Sequence, residues 1–398
     1  MELILALFLG ILIGIITGLT PGIHSNLAAS IITAYLSISQ SFNTLSIAVM
    51  IISMGVVHSI TDILPSVFLG MPDSEKIMTA LPSHKMLLDG NGLEAINLAV
   101  IGTFVGTIIS LITLPLTILF FSYSYYKLHP FIGPILLVLI TILIMKEKNK
   151  IKSLSILIIT GLLGIFVFRL NISEPLLPML SGLFGVSALV IGYTANVKVP
   201  KQKQSINNVE KKHIIVPSLI SLIMGIISAF LPGMGPSQIA ALGSSFMKNM
   251  TEKGFIVLSS ALSTINLIAG IAAFYALGKS RSGIIVAVQT FVTKINIYDT
   301  LIISFAILAA AGIASIITIF TAKKAADIIP KIPYKKISLG IIIFVTLLVS
   351  IISGPLGLLI LLTSTSLGII TQLKEIPKQH MMGCILFPVI LFFIGITA

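Results

Sequence analysis

Gly14-Ile15-Ile16-Thr17-Gly18-Leu19-Thr20-Pro21-Gly22 is echoed 211 residues later by Gly225-Ile226-Ile227-Ser228-Ala229-Phe230-Leu231-Pro232-Gly233. Proline removes a backbone donor and clashes with the preceding turn, and glycine frees the chain to change direction. Each copy therefore reads as an apolar helix broken at its end. The same offset sets Ala29 against Ala240. After each Pro-Gly pair the same order of segments follows: a short helix-compatible stretch (25–36; 237–248), an apolar span (45–69; 254–277), a mixed polar excursion (70–95; 278–297), another span (98–121; 299–321) and three more spans. The chain divides into two related halves, 1–196 and 214–398, joined by a basic linker, 197–213.

Composition sets the medium. Only 10% of the 398 residues are charged and 56% are hydrophobic, against about 25% charged in a soluble domain. The mean hydropathy is +1.11. Apolar runs such as 98–121, 131–145 and 301–320 approach or exceed the roughly 20 residues that carry a helix across hydrocarbon, whereas a β-barrel would alternate. The expected fold class is an all-α integral membrane protein, a polytopic helical bundle with interrupted helices. The run 3–19 lacks a basic leader and a small-residue cleavage site, so it is expected to stay in the mature chain. A lone cysteine, Cys384, excludes an intrachain disulfide and a Cys-based metal cage.

The net charge of +12 does not indicate nucleic acid, because the basic residues sit in loops between apolar runs. Lys146, Lys148, Lys150 and Lys152 form one cluster. The linker holds Lys198, Lys201, Lys203, Lys211 and Lys212, and a third cluster holds Lys323, Lys324, Lys331, Lys335 and Lys336. Lys and Arg are retained on the cytoplasmic side. With these loops inside, and each Pro-Gly segment read as a hairpin returning to its own side, both termini lie outside. The central linker is then cytoplasmic, and only Lys127, Arg169, Lys279, Arg281 and Lys294 fall outside. The first half starts outside and the second inside, which makes two inverted-topology repeats, a pattern of secondary transporters.

Broken backbone at membrane depth survives where protein or a watery cavity satisfies it. Ser25 and Asn26 after the first break, and Ser237 and Gln238 after the second, suit the start of a new helix. Free N–H groups and the positive dipole end there favour an anion. Pro21, Gly22, His24, Pro232, Gly233 and Gly235 complete a candidate substrate site for a small anionic solute. The plainer reading is a tight hairpin turn. Asp62 and His58, one turn apart, and Asn266 are candidates for coupling to Na⁺ or H⁺; a structural hydrogen bond is the alternative for Asp62. The excursion with Asp73, Asp89 and Gly90 is a candidate gate or a solvated loop. Lys279, Arg281 and Lys294 are placed to attract an anion at the entrance, or are simply solvated. No His-Glu-x-x-His, Gly-x-Gly-Asp pair or nucleophile with its base supports an intramembrane enzyme. A purely structural membrane protein would not need two broken helices and a buried acid.

The repeated Gly-x6-Pro-Gly, Leu231-Pro232-Gly233-Met234-Gly235-Pro236, Gly70-x-Pro72 and Asp89-Gly90-x-Gly92-x-x-Ala95 together resemble the large membrane subunit of the tripartite tricarboxylate transporters. The resemblance implies import of citrate-like carboxylates coupled to an ion gradient, with an extracytoplasmic binding protein and a small membrane subunit as partners. Ser83-His84-Lys85-Met86 stands where that family begins its polar loop with Asp-Gly followed by Pro-Met, which points to a divergent member, with a stand-alone protein as an alternative to the three-part system. A homo-oligomer is a further option. The polyprenyl-phosphate translocases also resemble this pattern, and a phosphate headgroup suits two facing helix starts equally well.

Overall fold

The computed structural model describes residues 1–39, 42–70, 77–194, 199–203, 211–231, 233–244 and 250–395. Pro232 and Asp73 lie outside the described residues, as does the side chain of Ser237. Among the described residues the fold is all helical, with ten helices long and apolar enough to cross a membrane. The first half runs α1 (Glu2–Leu19), α2 (Ser25–Ser39), α3 (Thr44–Thr61), α4 (Ile63–Leu69), α5 (Ile77–Leu88), α6 (Gly92–Ile112), α7 (Leu114–Leu128), α8 (Ile132–Met145), α9 (Lys150–Arg169), α10 (Leu176–Leu180) and α11 (Ser187–Thr194). The second runs α12 (Lys212–Phe230), α13 (Pro236–Ser244), α14 (Glu252–Leu277), α15 (Gly283–Gln289), α16 (Ile297–Ile328), α17 (Tyr334–Leu373) and α18 (Gly383–Phe393).

Local chemistry sets the boundaries. Asn43 caps α3 by accepting the Ser46 N–H at 2.8 Å, Thr251 caps α14, and Asn296 with Asp299 forms a reciprocal capping box on α16. The expected span 45–69 is two helices. Pro65 leaves the Thr61 carbonyl without its usual partner, and the joint falls at Asp62. Pro115 likewise divides the expected span 98–121 between α6 and α7. In α17, Gly354 takes φ 66° just before Pro355. The two arms there run back alongside each other, because Tyr334, at the start of α17, lies against Gly192 while Gly368, near its end, lies against Ser187, less than two turns away on the same short helix.

Burial separates core from lipid surface. The segment Thr44–Leu69 is 100% buried over its most apolar window and Glu252–Leu277 is 89% buried, against 22% for Tyr334–Leu373. Large apolar side chains such as Phe166, Phe305, Ile316 and Phe320 point outward, the inverse of a soluble protein and the expected face toward hydrocarbon.

Close glycine crossings fix helix directions. Along α1, Gly10, Gly14 and Gly18 meet Met50, Met54 and Thr61 in that order on α3, and the Glu2 carboxylate accepts the Asn43 N–H at 2.6 Å. Thus α1 and α3 are parallel. Along α12, Ser221 donates to the Leu258 carbonyl at 2.9 Å and Gly225 meets Ile265, so α12 and α14 are parallel too. Parallel neighbours require the chain to return between them. In the second half α13 does so, since Gly243 lies back against Met224 and Ile220.

The end of α4, the starts of α6 and α14 and the end of α16 share one apolar cluster, with Phe68, Ile96, Val257 and Ala322 among its members. Helix α14 therefore begins where α3 and α4 finish, and runs opposite to them. Ion pairs join the halves at this face: Lys85 with Glu252 at 2.6 Å, and Lys253 with Glu94. The linker docks here as well. Buried Gln202 accepts the Gly92 N–H at 2.8 Å and donates to the Leu87 carbonyl at 3.0 Å. This end is hereafter the linker face. Contacts between the halves come in reciprocal pairs: α1 with α16 and α12 with α6; α3 with α16 and α14 with α6; α2 with α15 and α13 with α5. On the periphery, the α9 backbone at Gly164 closes directly over Cys384.

Candidate functional site

The two breaks have the same backbone. Thr20 ends α1 at φ −93°, ψ 108°, and Leu231 ends α12 at φ −95°, ψ 111°. Two residues further on, Gly22 and Gly233 take φ 86° and 76°, the left-handed region that glycine enters without steric cost. New helices start at Ser25 and Pro236. The 211-residue offset thus holds for both ends of each turn.

A cavity of about 210 Å³ opens beside the second break. Ser228, Gly233 and Gly235 line one side, and Asn26 reaches it from the first break. Asn266 lines the wall formed by α14. From Ile256 to Phe274 it is the only residue of that helix not fully buried, so its amide is what α14 presents to the cavity. Ser280, Arg281 and Ser282 come from the α14–α15 connection, and Met382 and Ile385 come from the last helix. The connection dips inward, since Ile284 packs on Gly55 in the middle of α3 and Gly283 touches the Asn26 amide.

Arg281 supplies the charge. Its Nη2 donates to the Tyr125 hydroxyl at 3.3 Å, and its guanidinium lies 5.3 Å from the Phe393 ring centre. Its Nη1 is buried with no hydrogen-bond partner among the described residues. A buried, permanently charged donor held by aromatic neighbours is set to receive an acceptor of opposite charge, and guanidinium geometry matches carboxylate and phosphate.

Of the sequence candidates, the cavity gathers Asn26, Gly233, Gly235 and Asn266, while the others stand elsewhere. Gly22 and His24 belong to the first turn, and Ser25 is buried behind it. Gln238 is fully buried, and its amide has no partner among the described residues; its Oε1 lies 3.3 Å from where a β-carbon on Gly235 would sit. His58 is buried between α1 and α3, with Nδ1 3.1 Å from the Thr17 hydroxyl. Asp62 sits at the α3–α4 joint, where the Ser66 hydroxyl lies 2.7 Å from its carbonyl and 3.3 Å from its carboxylate. Asp89 is exposed, and Gly90, at φ 78°, ends α5 and accepts the Lys203 N–H of the docked linker at 2.9 Å. Of Lys279, Arg281 and Lys294 only Arg281 reaches the cavity; Lys279 and Lys294 are exposed. On α5, burial pushes the His84 imidazole below its usual value, opposed by the Val67 carbonyl 2.9 Å from Nδ1 and reinforced by the Lys378 ammonium. The neutral ring donates its Nδ1–H to that carbonyl.

The model of the tripartite tricarboxylate transporter TctA family matches residues 4–383. The chain belongs to the TctA family. This family member is 32% identical over 354 residues to the uncharacterized protein MJ1079 of Methanocaldococcus jannaschii, covering 86% of this chain and 88% of that protein. No solved structure matches it. Membership in the TctA family, together with the ten apolar helices, makes this a multi-pass membrane transport protein of the tricarboxylate type and not an enzyme. Systems of the TctA family are tripartite and include a binding protein and a small subunit. Sequence reasoning put Arg281 in an entrance loop and missed Met382 and Ile385.

Proposed function

We propose that the protein is a secondary transporter of a di- or tricarboxylate, held between its two broken helices by Asn26, the Gly233–Gly235 backbone, Asn266 and Arg281. The observation that carries this reading is that Arg281, whose buried Nη1 has no hydrogen-bond partner among the described residues, lines a cavity to which both breaks contribute. The halves act as inverted repeats of 1–196 and 214–398. Support comes from the parallel pairs α1–α3 and α12–α14, the opposed run of α14, and the reciprocal contacts. The linker face, where the lysine clusters gather, is cytoplasmic, and both termini are outside. Coupling to Na⁺ or H⁺ falls to Asp62 and His58, with Asn266 on the substrate side. An extracytoplasmic binding protein delivers the solute, with a small membrane subunit alongside.

One observation favours a second reading, a lipid-linked phosphate as cargo. An apolar groove of about 490 Å³, lined by Phe168, Pro388, Val389, Phe392 and Phe393, shares Arg281 and Ile385 with the cavity. The purified protein in proteoliposomes, given citrate or polyprenyl phosphate at varied Na⁺ and pH, separates the two. Losing a charge-assisted hydrogen bond is expected to weaken citrate binding in Arg281→Gln by about tenfold to hundredfold. Unchanged citrate binding in that variant would sink the carboxylate reading, and Arg281-dependent binding of polyprenyl phosphate alone would install the second.

A further inference from the structure

The linker face carries another cavity, of about 500 Å³, between the starts of α12 and α14. Its rim is polar, formed by Lys212, His213 and Thr251, and its wall is apolar, formed by Val216, Pro217 and Met250. His213 Nδ1 lies 3.0 Å from the Thr251 hydroxyl, which already accepts the Gly254 N–H at 3.2 Å. When that hydroxyl donates to Nδ1, the imidazole carries its proton on Nε2, the tautomer a phosphate oxygen at the rim selects. Beside the cavity, Ile215 and Val216 are 53% and 44% exposed, so α12 enters hydrocarbon within one turn of the rim.

An ammonium and an N–H donor above a hydrocarbon wall match a phosphodiester joined to an acyl chain. We propose that this cavity seats an anionic phospholipid of the leaflet on the linker face. Its phosphate rests on Lys212 and His213, and one acyl chain follows Val216, Pro217 and Met250. Charge complementarity argues for this occupant, because basic segments at a membrane surface attract anionic lipid. The location gives it a task. Thr251 caps α14, and the next two residues, Glu252 and Lys253, pair with Lys85 and Glu94 of the other half. A lipid there braces the helix start through which the halves are joined.

The test uses the full chain in nanodiscs holding equal mole fractions of phosphatidylglycerol and phosphatidylcholine, with retained lipid counted by native mass spectrometry. Wild type is expected to retain phosphatidylglycerol preferentially, and Lys212→Gln with His213→Gln is expected to cut that preference by at least about fivefold, the share of the one Lys212 charge removed. Val216→Trp, which fills the acyl wall and leaves the charges intact, should reduce retention similarly, while Lys323→Gln with Lys324→Gln should not. The proposal is overturned if the double variant keeps the wild-type preference, if Val216→Trp is silent, or if the Lys323/Lys324 control loses as much. Displacement of the lipid by soluble glycerol phosphate would also overturn it, by showing a site for a free anion.

Discussion

The helix ends at the two breaks share φ and ψ to within a few degrees, yet the breaks differ in what surrounds them. The second opens onto the cavity and gives it Ser228, Gly233, Gly235 and a shell of neighbours; the first contributes Asn26, and the helix leading into it packs on α3, where Gly18 meets Thr61. Around the first lie His58, Thr61 and Asp62, groups able to hold or relay a cation or proton. Around the second lie amides, hydroxyls and a guanidinium, groups that receive an anion. One backbone turn thus carries two chemistries, and on the function proposed above charge coupling falls to one break and substrate to the other.

The largest expected effect breaks this division at the second site: in Arg281→Gln, citrate affinity should fall by about tenfold to hundredfold while thermal stability stays near wild type, as read by calorimetry and unfolding in detergent. Asp62→Asn should do the reverse, leaving citrate affinity within about threefold but removing the Na⁺ or pH dependence of uptake; a loss of affinity as large as that of Arg281→Gln would dissolve the comparison. Gly22→Ala and Gly233→Ala should each cost about 1–2 kcal/mol of stability from the left-handed backbone. Gly233→Ala should cost more, because its new methyl meets Val389 at 3.0–3.1 Å. The smallest effect is expected at the exposed ion pair between the halves, where Lys85→Ala should leave the unfolding midpoint in detergent at the wild-type value.

The breaks were legible because proline and glycine at a fixed offset leave little choice of backbone. Asn266 was legible as a rare polar residue in an apolar span. The α3–α4 joint was hidden, since Pro65 lies within a run whose hydropathy reads as one span. The approach of Arg281 to the cavity was hidden for another reason. Seven-residue α15 is too short to register as a span, so a stretch that folds back onto Gly55 looks like a solvated loop. Met382 and Ile385 carried no signal, because nothing in an apolar terminal segment says which residues face a cavity whose other lining residues are Asn26 and residues between 228 and 283. The departure at Ser83-His84-Lys85-Met86 falls on α5, where Lys85 pairs with Glu252 and His84 holds the Val67 carbonyl.

The burial of Cys384 beneath the α9 backbone has a practical side. The thiol is shut away, so the natural chain already behaves as a cysteine-free background for a membrane-impermeant maleimide. Single cysteines placed at Lys148 and at Lys279 should therefore label from opposite sides of sealed vesicles, with a silent wild type as the blank, and no stabilising residue needs to be removed to make the measurement.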